Sequence, residues 1–263
     1  MSYEHIVFDT GRGVATIRFN RPECLNSFNA LMLEEFSDAL AAVHGDESQR
    51  CLLLTGTGRG FCAGQDLNER VRDGEVMLPD LSESLDKKYN PVVRAIVSLP
   101  IPVVCAVNGV AAGAGANIAL ACDIVVAARS ASFIQAFCKI GLIPDAGGTW
   151  QLPRLVGRAR ALGMAMLGDK ITAEQAEQWG LIWRVIDDEV FMDEAVSIAG
   201  TLAARPTRAL GYIKQALTAG AINTLDQQLD LERDLQGRAC RTEDYREGVQ
   251  AFIEKREPNF NGR

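Results

Sequence analysis

Two glycine-rich turns and one carboxylate hold most of the chemistry available to this sequence. Each turn follows an apolar, strand-like run. Residues 51–55 lead into GTGRGFCAGQDL at 56–67, and residues 103–107 lead into NGVAAGAGANIALACD at 108–123. Glycine is needed where the backbone must approach a ligand closely or take positive φ. The second turn, Gly113-Ala114-Gly115, opens a helical run containing Ala116, Ile118, Ala119 and Leu120. A helix N-terminus offers unpaired N–H groups and a positive dipole end, which suit a phosphate or a developing oxyanion. Tight strand–helix packing explains one such turn by itself. Two in one chain make a ligand-facing role an equal alternative. The third stretch is KIGLIPDAGGTWQLPRLVG, residues 139–157, where Asp145 lies between Pro144 and Ala146-Gly147-Gly148. Such a carboxylate either forms a turn or acts as an acid. If it faces an apolar cavity, desolvation raises its pKa and suits it to proton transfer.

Other chemistries find no support. Neither turn combines the third glycine and trailing helix of a dinucleotide fingerprint, and neither G-x-x-x-x-G-K-[ST] nor G-x-S-x-G occurs. With only His5 and His44, and seven cysteines without a C-x-x-C pair, a His- or Cys-based metal site is not expected. The odd cysteine count predicts reduced, mostly buried thiols and a cytoplasmic protein. A net charge of −7 lacks the footprint of a nucleic-acid binder. No signal peptide and no membrane-spanning run is expected.

The elements that must position these residues read as α/β. Residues 3–8 and 14–19 form a hairpin, with Ala15, Ile17 and Phe19 on one face. A helix from about Asn29 carries Leu33, Phe36, Leu40 and Val43 at helical spacing. Residues 68–82 read as a loop leading into a helix over about 83–98. Strand, glycine-rich turn, helix and strand then recur, which implies a buried sheet. After Leu152 the pattern is helical, with Leu155, Ala159, Leu162 and Met166 on one face. A short strand over 182–186 precedes helices filling roughly 191–255, and the last six residues read as a tail. A soft boundary near 200 divides a core (1–200) from a helical region (201–263).

Together these stretches resemble the crotonase, or enoyl-CoA hydratase/isomerase, superfamily. The resemblance covers nearly the whole chain. It runs from Asn20-Arg21-Pro22 and Leu25-Asn26-Ser27-Phe28 through GRGFCAGQDL, AVNGVAAGAGANIALACDIVVAA and GLIPDAGGTWQLPRLVG to AFIEKREP at 251–258. The NG-x-A-x-G-x-G block combined with P-x-x-GG-T is its most specific part. FCAGQDLN, ANIALACDIV, GLIPDAGGTW, LDLERD and DYREGV further resemble the branch that isomerises a phenylacetyl-CoA ring epoxide to an oxepin.

The resemblance implies a spiral of ββα turns, a C-terminal helical trimerisation region, and a homotrimer or dimer of trimers. It implies an acyl-CoA thioester whose enolate is held by the backbone N–H groups of Gln65 and Ala114, with no cofactor beyond the CoA of the substrate. Hydratases of the family carry glutamates where this chain has Asn117 and Phe137, whereas Asp145 stands where its isomerases carry their acid. An isomerase with Asp145 as proton-transfer residue is therefore expected. Arg21, Leu25, Ala63 and Asp66 are expected near the adenine and pantetheine of CoA, the loop 68–82 near the acyl pocket, and Asn117 and Phe137 near the substrate. Phe252 and Lys255 match positions that reach a neighbouring subunit's nucleotide, although helix packing for Phe252 and a solvated face for Lys255 are the plainer readings. The rivals are a fatty-acid Δ3,Δ2-enoyl-CoA isomerase and a non-catalytic acyl-CoA-binding homologue. The acidic charge and Asp145 argue against an RNA-binding one.

Overall fold

The structure, a computed structural model, describes residues 3–72, 75–77 and 80–263. The chain opens with the antiparallel hairpin β1 (Ile6–Gly11) and β2 (Val14–Phe19), whose turn residues Arg12 and Gly13 take φ 53° and 76°. Positive φ at both positions is what a two-residue hairpin turn requires. Ala15, Ile17 and Phe19 are buried as their alternation predicts. Helix α1 (Ala30–Gly45) starts where Asn29 accepts a hydrogen bond from the Met32 N–H, and it buries Leu33, Phe36, Leu40 and Val43. Phe19 joins these elements by packing edge-on against Phe28, Phe36 and Phe61, with centroids 5.1, 5.1 and 5.4 Å away.

A spiral follows. Its three turns begin with the strand pairs β3 (Cys51–Gly56) and β4 (Gly60–Cys62), β7 (Val103–Val107) and β8 (Val110–Ala112), and β9 (Ile124–Ala128) and β10 (Ser132–Ile134). Between the first two lie the ribbon β5 (Val71–Arg72) and β6 (Glu75–Val76), then α2 (Leu81–Ser84), which continues through one π turn into α3 (Asn90–Ser98). Helix α4 (Ala114–Leu120) follows β8, and α5 (Gly148–Leu167) follows β10. The first strand of each pair enters one sheet and the second enters another. With β11 (Lys170–Thr172) and β12 (Arg184–Ile186), separated by α6 (Ala173–Trp179), the sheets are ordered β1-β2-β3-β7-β9-β12 and β11-β10-β8-β4. The spiral strands pair in parallel. Strands β3, β7 and β9 are buried almost throughout, which is why they read as continuous apolar runs.

Helix α5 departs from the expected packing. Gly157, at φ 75° and ψ 161°, breaks it in two, so a single 3.6-residue period does not run through it. Leu152, Val156, Ala161 and Met164 are buried, while Leu155 and Met166 are exposed. Helix α7 (Phe191–Ala203) lies on β3 and β7, and residue 200 falls inside it. The helical break comes over residues 204–206, before α8 (Thr207–Gly220), α9 (Leu225–Ala239) and α10 (Glu243–Glu254).

Helix α8 is bound tightly to the spiral. A Cβ on Gly211 would strike the Pro100 carbonyl, so glycine permits the close approach. Lys214 donates to the Ile96 carbonyl at 2.8 Å and pairs with Asp123 at 2.9 Å. Burial raises the Asp123 carboxyl above its usual value despite this partner. The last residues are also docked. Arg50 reaches Thr207, the Arg205 carbonyl and the Phe260 carbonyl, and Asp244 accepts from the Asn261 and Gly262 amides.

Candidate active site

The Gln65 turn is built by two asparagines, Asn26 and the half-buried Asn108. Leu25 and Asn26 take φ 53° and 57°, which folds the segment over residues 21–28 back on itself. Asn26, fully buried, accepts from the Arg21 amide and donates to the Thr57 and Gly60 carbonyls. Asn108, from the second turn, accepts from the Gly56 amide and donates to the Gly58 carbonyl. The 56–66 segment is thereby held from both sides. Phe28 then pairs with it in parallel fashion: its N–H donates to the Gly64 carbonyl at 2.7 Å, and its carbonyl accepts from the Asp66 amide at 2.9 Å. In that pairing the N–H of the intervening Gln65 points away from Phe28.

Ala114 faces the same place. Gly113 adopts φ 52° and ψ −128°, a conformation suited to glycine, and its own N–H donates to the Ile134 carbonyl. This turns the chain so that α4 begins at Ala114. A Cβ on Gly64 would lie 2.9 Å from the Ala112 carbonyl oxygen and 3.5 Å from the Ala114 nitrogen, so the two turns lie side by side. Among the described residues, neither the Gln65 nor the Ala114 N–H has an acceptor. Two free backbone donors in adjacent turns, one at a helix N-terminus, can bind one oxygen that becomes negative during a reaction.

Asp145 precedes α5 in a left-handed bend, with Ala146 at φ 46° and Gly147 at φ 83°. Its Oδ1 is buried and has no hydrogen-bond partner. Desolvation raises its pKa from the ordinary 3.8 to about 6, offset only in part by a backbone hydrogen bond. A carboxyl poised there can take and return a proton near neutral pH. Phe137 is buried with its ring edge toward Gly113.

Asn117 is fully buried one helical turn after Ala114. Its amide is occupied within the chain, because Nδ2 donates to the Asp145 backbone carbonyl and Oδ1 accepts from Gln135, both at 2.8 Å. The structure thus places it behind Asp145 with its polar atoms already engaged, rather than free for a substrate.

Arg21 and Asp66 form an ion pair of 2.9 Å, and Arg21 also donates to the Ser27 carbonyl at 2.6 Å. Burial would raise the Asp66 carboxyl, but hydrogen bonds from Arg21 and Asn68 overcome it and hold the pKa below the usual value. The pair fastens the Leu25 loop to the Gln65 loop. The Ala63 amide adds a bond to the Leu25 carbonyl. Phe252 is 85% exposed, Lys255 is exposed at the end of α10, and neither is hydrogen-bonded to the loops of Gln65, Ala114 and Asp145. The expected loop 68–82 lies partly outside the described residues, at 73–74 and 78–79. A cleft of about 420 Å³ beside it is lined by Ala30, Leu33, Gln65, Glu69 and Lys87, among others.

Sequence reasoning missed Tyr89. Its phenol donates to the Gln65 side-chain carbonyl at 2.5 Å, and its ring packs edge-on against Phe28. Burial first, then the nearby Cys62 and Asp145, raises its pKa far above the normal phenol value. Tyr89 lay among polar residues of the expected helix over 83–98, and only its type, an aromatic with a polar tip, marked it.

The chain belongs to the enoyl-CoA hydratase/isomerase family, which it matches over residues 9–263. It is 58% identical over 260 residues to the 1,2-epoxyphenylacetyl-CoA isomerase of Escherichia coli, covering 99% of each chain. It is 34% identical over 263 residues to the trans-2-decenoyl-[acyl-carrier-protein] isomerase of Streptococcus mutans, with both chains covered completely. The crystal structure of enoyl-CoA hydratase from Bacillus anthracis superposes with a TM-score of 0.91 at 33% identity, over 99% of this chain and 100% of that one. The fold is therefore the crotonase spiral. Among the described residues no helix is long and apolar enough to cross a membrane, and no group of three or more His, Cys, Asp or Glu could hold a metal ion.

Proposed function

We propose that this protein is an acyl-CoA isomerase acting on the ring epoxide of phenylacetyl-CoA. The relative from Escherichia coli supports that substrate. The observation that carries the chemistry is the desolvated carboxyl of Asp145, its buried Oδ1 without a partner, on a loop that Asn117 ties to the helix presenting the free Ala114 donor. The thioester oxygen binds the Gln65 and Ala114 N–H groups. Ionised Asp145 removes a proton from the carbon next to the thioester, and the negative charge moves onto the oxygen between the two donors. Asp145 then returns the proton to the far end of the conjugated system. With a Δ3-enoyl thioester this moves the double bond to Δ2. With the ring epoxide, the carbon–carbon bond shared by the two rings opens, giving the seven-membered oxepin. Substrate and product have the same atoms, so the reaction consumes no co-reactant, and no cofactor beyond the CoA of the substrate is required.

Arg21, Leu25, Ala63 and Asp66 shape the loop against which CoA rests, and Phe137 walls the acyl side. The active species is a homotrimer or a dimer of trimers. Apolar side chains left exposed on the helical C-terminal region, including Leu217, Leu225 and Phe252, support this assembly. In it, Phe252 and Lys255 approach a neighbouring subunit's nucleotide site. The core through α7 and the helices from Thr207 onward, rather than a division at residue 200, separate the catalytic and assembly roles.

Product analysis with the ring-epoxide thioester, a 3-enoyl-CoA and a trans-2-enoyl-CoA tests the reading. The first two are isomerised and the third is hydrated negligibly. Hydration at a rate rivalling isomerisation would refute it.

A further inference from the structure

The loop that carries Asp145 contains a strained residue. Ala146 is buried in the left-handed region at φ 46°, where a residue with a Cβ is held at a cost. Such a conformation persists only where its surroundings over-determine it. Two donors meet on the Asp145 backbone carbonyl: the Gly148 amide at 2.8 Å and Asn117 Nδ2 at 2.8 Å. The first belongs to the loop itself. The second comes from α4, the helix that also presents the Ala114 N–H.

The direction of this contact is fixed by chemistry. A backbone carbonyl only accepts, so Asn117 must turn its NH₂ toward Asp145 and its oxygen toward Gln135. Gln135 must then present its own NH₂, as it does at 2.8 Å. Both side chains are sealed from solvent, at 0% and 1% exposure. Gly148 is part of the same arrangement, because a Cβ there would fall on the Asn117 amide.

We propose that Asn117, oriented by Gln135, is the positioning residue that holds Asp145 in register with the Ala114 donor. This deepens the isomerase reading and rests on it. A carboxylate at position 117 has no N–H to give the Asp145 carbonyl. Asn117 acts through the loop and does not touch the reacting atoms.

The test uses Asn117→Leu, which keeps the volume and removes the donor, and Gln135→Met, one step further back. Both are assayed with a 3-enoyl-CoA, alone and with Asp145→Asn. A displacement of about 1 Å at a catalytic group costs on the order of 10²-fold. We expect kcat to fall roughly 10- to 100-fold for Asn117→Leu and about 3- to 10-fold for Gln135→Met, with KM within about threefold in each. The acid limb of kcat/KM should move to lower pH as the carboxyl gains water. Added to Asp145→Asn, Asn117→Leu should cost little more. Wild-type kcat in Gln135→Met, or in a folded Asn117→Leu, would overturn the inference. So would full multiplication of the two losses in the double variant. If Asp145→Asn alone turned over normally, the isomerase reading itself would fail, a result distinct from all of these.

Discussion

The Tyr89 phenol donates to the side-chain carbonyl of Gln65, whose amide end in turn reaches Glu69 at 3.2 Å. The residue whose backbone N–H is a candidate oxyanion donor is therefore fixed through its side chain as well. Tyr89→Phe keeps the ring against Phe28 and removes only this hydrogen bond. A typical net hydrogen bond is worth about 0.5–1.5 kcal/mol, so kcat should fall about 2- to 12-fold with little change in KM. Steady-state kinetics with a 3-enoyl-CoA checks this.

Asp145→Asn preserves shape and removes the proton carrier. General acid–base catalysis contributes about 10²–10⁴-fold, and isomerisation should slow by that order. Binding of CoA thioesters, measured by calorimetry, should change little, because the donors and the nucleotide loop are untouched. Affinity lost in parallel with turnover would make Asp145 a structural residue.

The Asp145 pKa near 6 sets two pH dependences. As a base it must be ionised, so kcat/KM should fall as pH drops through about 6. Stability runs the other way. Because the folded-state value is raised, the folded protein holds the proton more tightly than the unfolded chain. Stability is then lost as pH rises from about 4 to about 6 and stays lower above that. Asp145→Asn should consequently be more stable than wild type at pH 7.5, by about 1–3 kcal/mol, and lose that advantage at pH 4. Chemical denaturation at the two pH values measures the difference.

Gly113 and Gly115 differ in why they must be glycine. Space exists at Gly113, where a Cβ would meet Phe137 only at 3.7 Å, but its φ of 52° and ψ of −128° strain any larger residue. At Gly115 a Cβ would strike the Cys62 carbonyl and sulfur. Gly113→Ala should cost about 1–3 kcal/mol through backbone strain. Gly115→Ala should cost a similar amount or more through overpacking. Both should reduce kcat beyond what melting temperature explains, since each moves the Ala114 N–H.

The exposed apolar side chains of α8 and α9 should be covered in solution. Leu217 is 74% exposed and Leu225 is 73% exposed. Leu217→Glu should shift light-scattering mass from a multiple of three chains toward the monomer. Truncation after Ala204 should leave an inactive, poorly soluble chain. A truncated chain that stayed soluble, monomeric and active would count against the assembly.

The residues by themselves carried an α/β fold with a buried sheet, and the spiral and the roles of its chemical parts came with the resemblance of the motifs to the crotonase family. Apolar runs at 51–55, 103–107 and 124–128 had to be buried strands, and glycines after the first two had to be turns, because few other residues tolerate those backbones. The hairpin, the α1 face and Asp145 were legible for the same local reasons. Tertiary structure decided what the side chains do for one another. Asn117 looked like a substrate contact and is a strut, because its partners Gln135 and Asp145 lie 18 and 28 residues away. Tyr89 carried no pattern, because its partner Gln65 lies 24 residues back, in the first glycine-rich turn. The period through α5 misled because Gly157 rotates the second half of that helix. Local spacing encodes which face of an element is apolar. Which polar groups meet across the core is set only when the turns stack, and there burial makes each unpaired group costly enough to fix its partner.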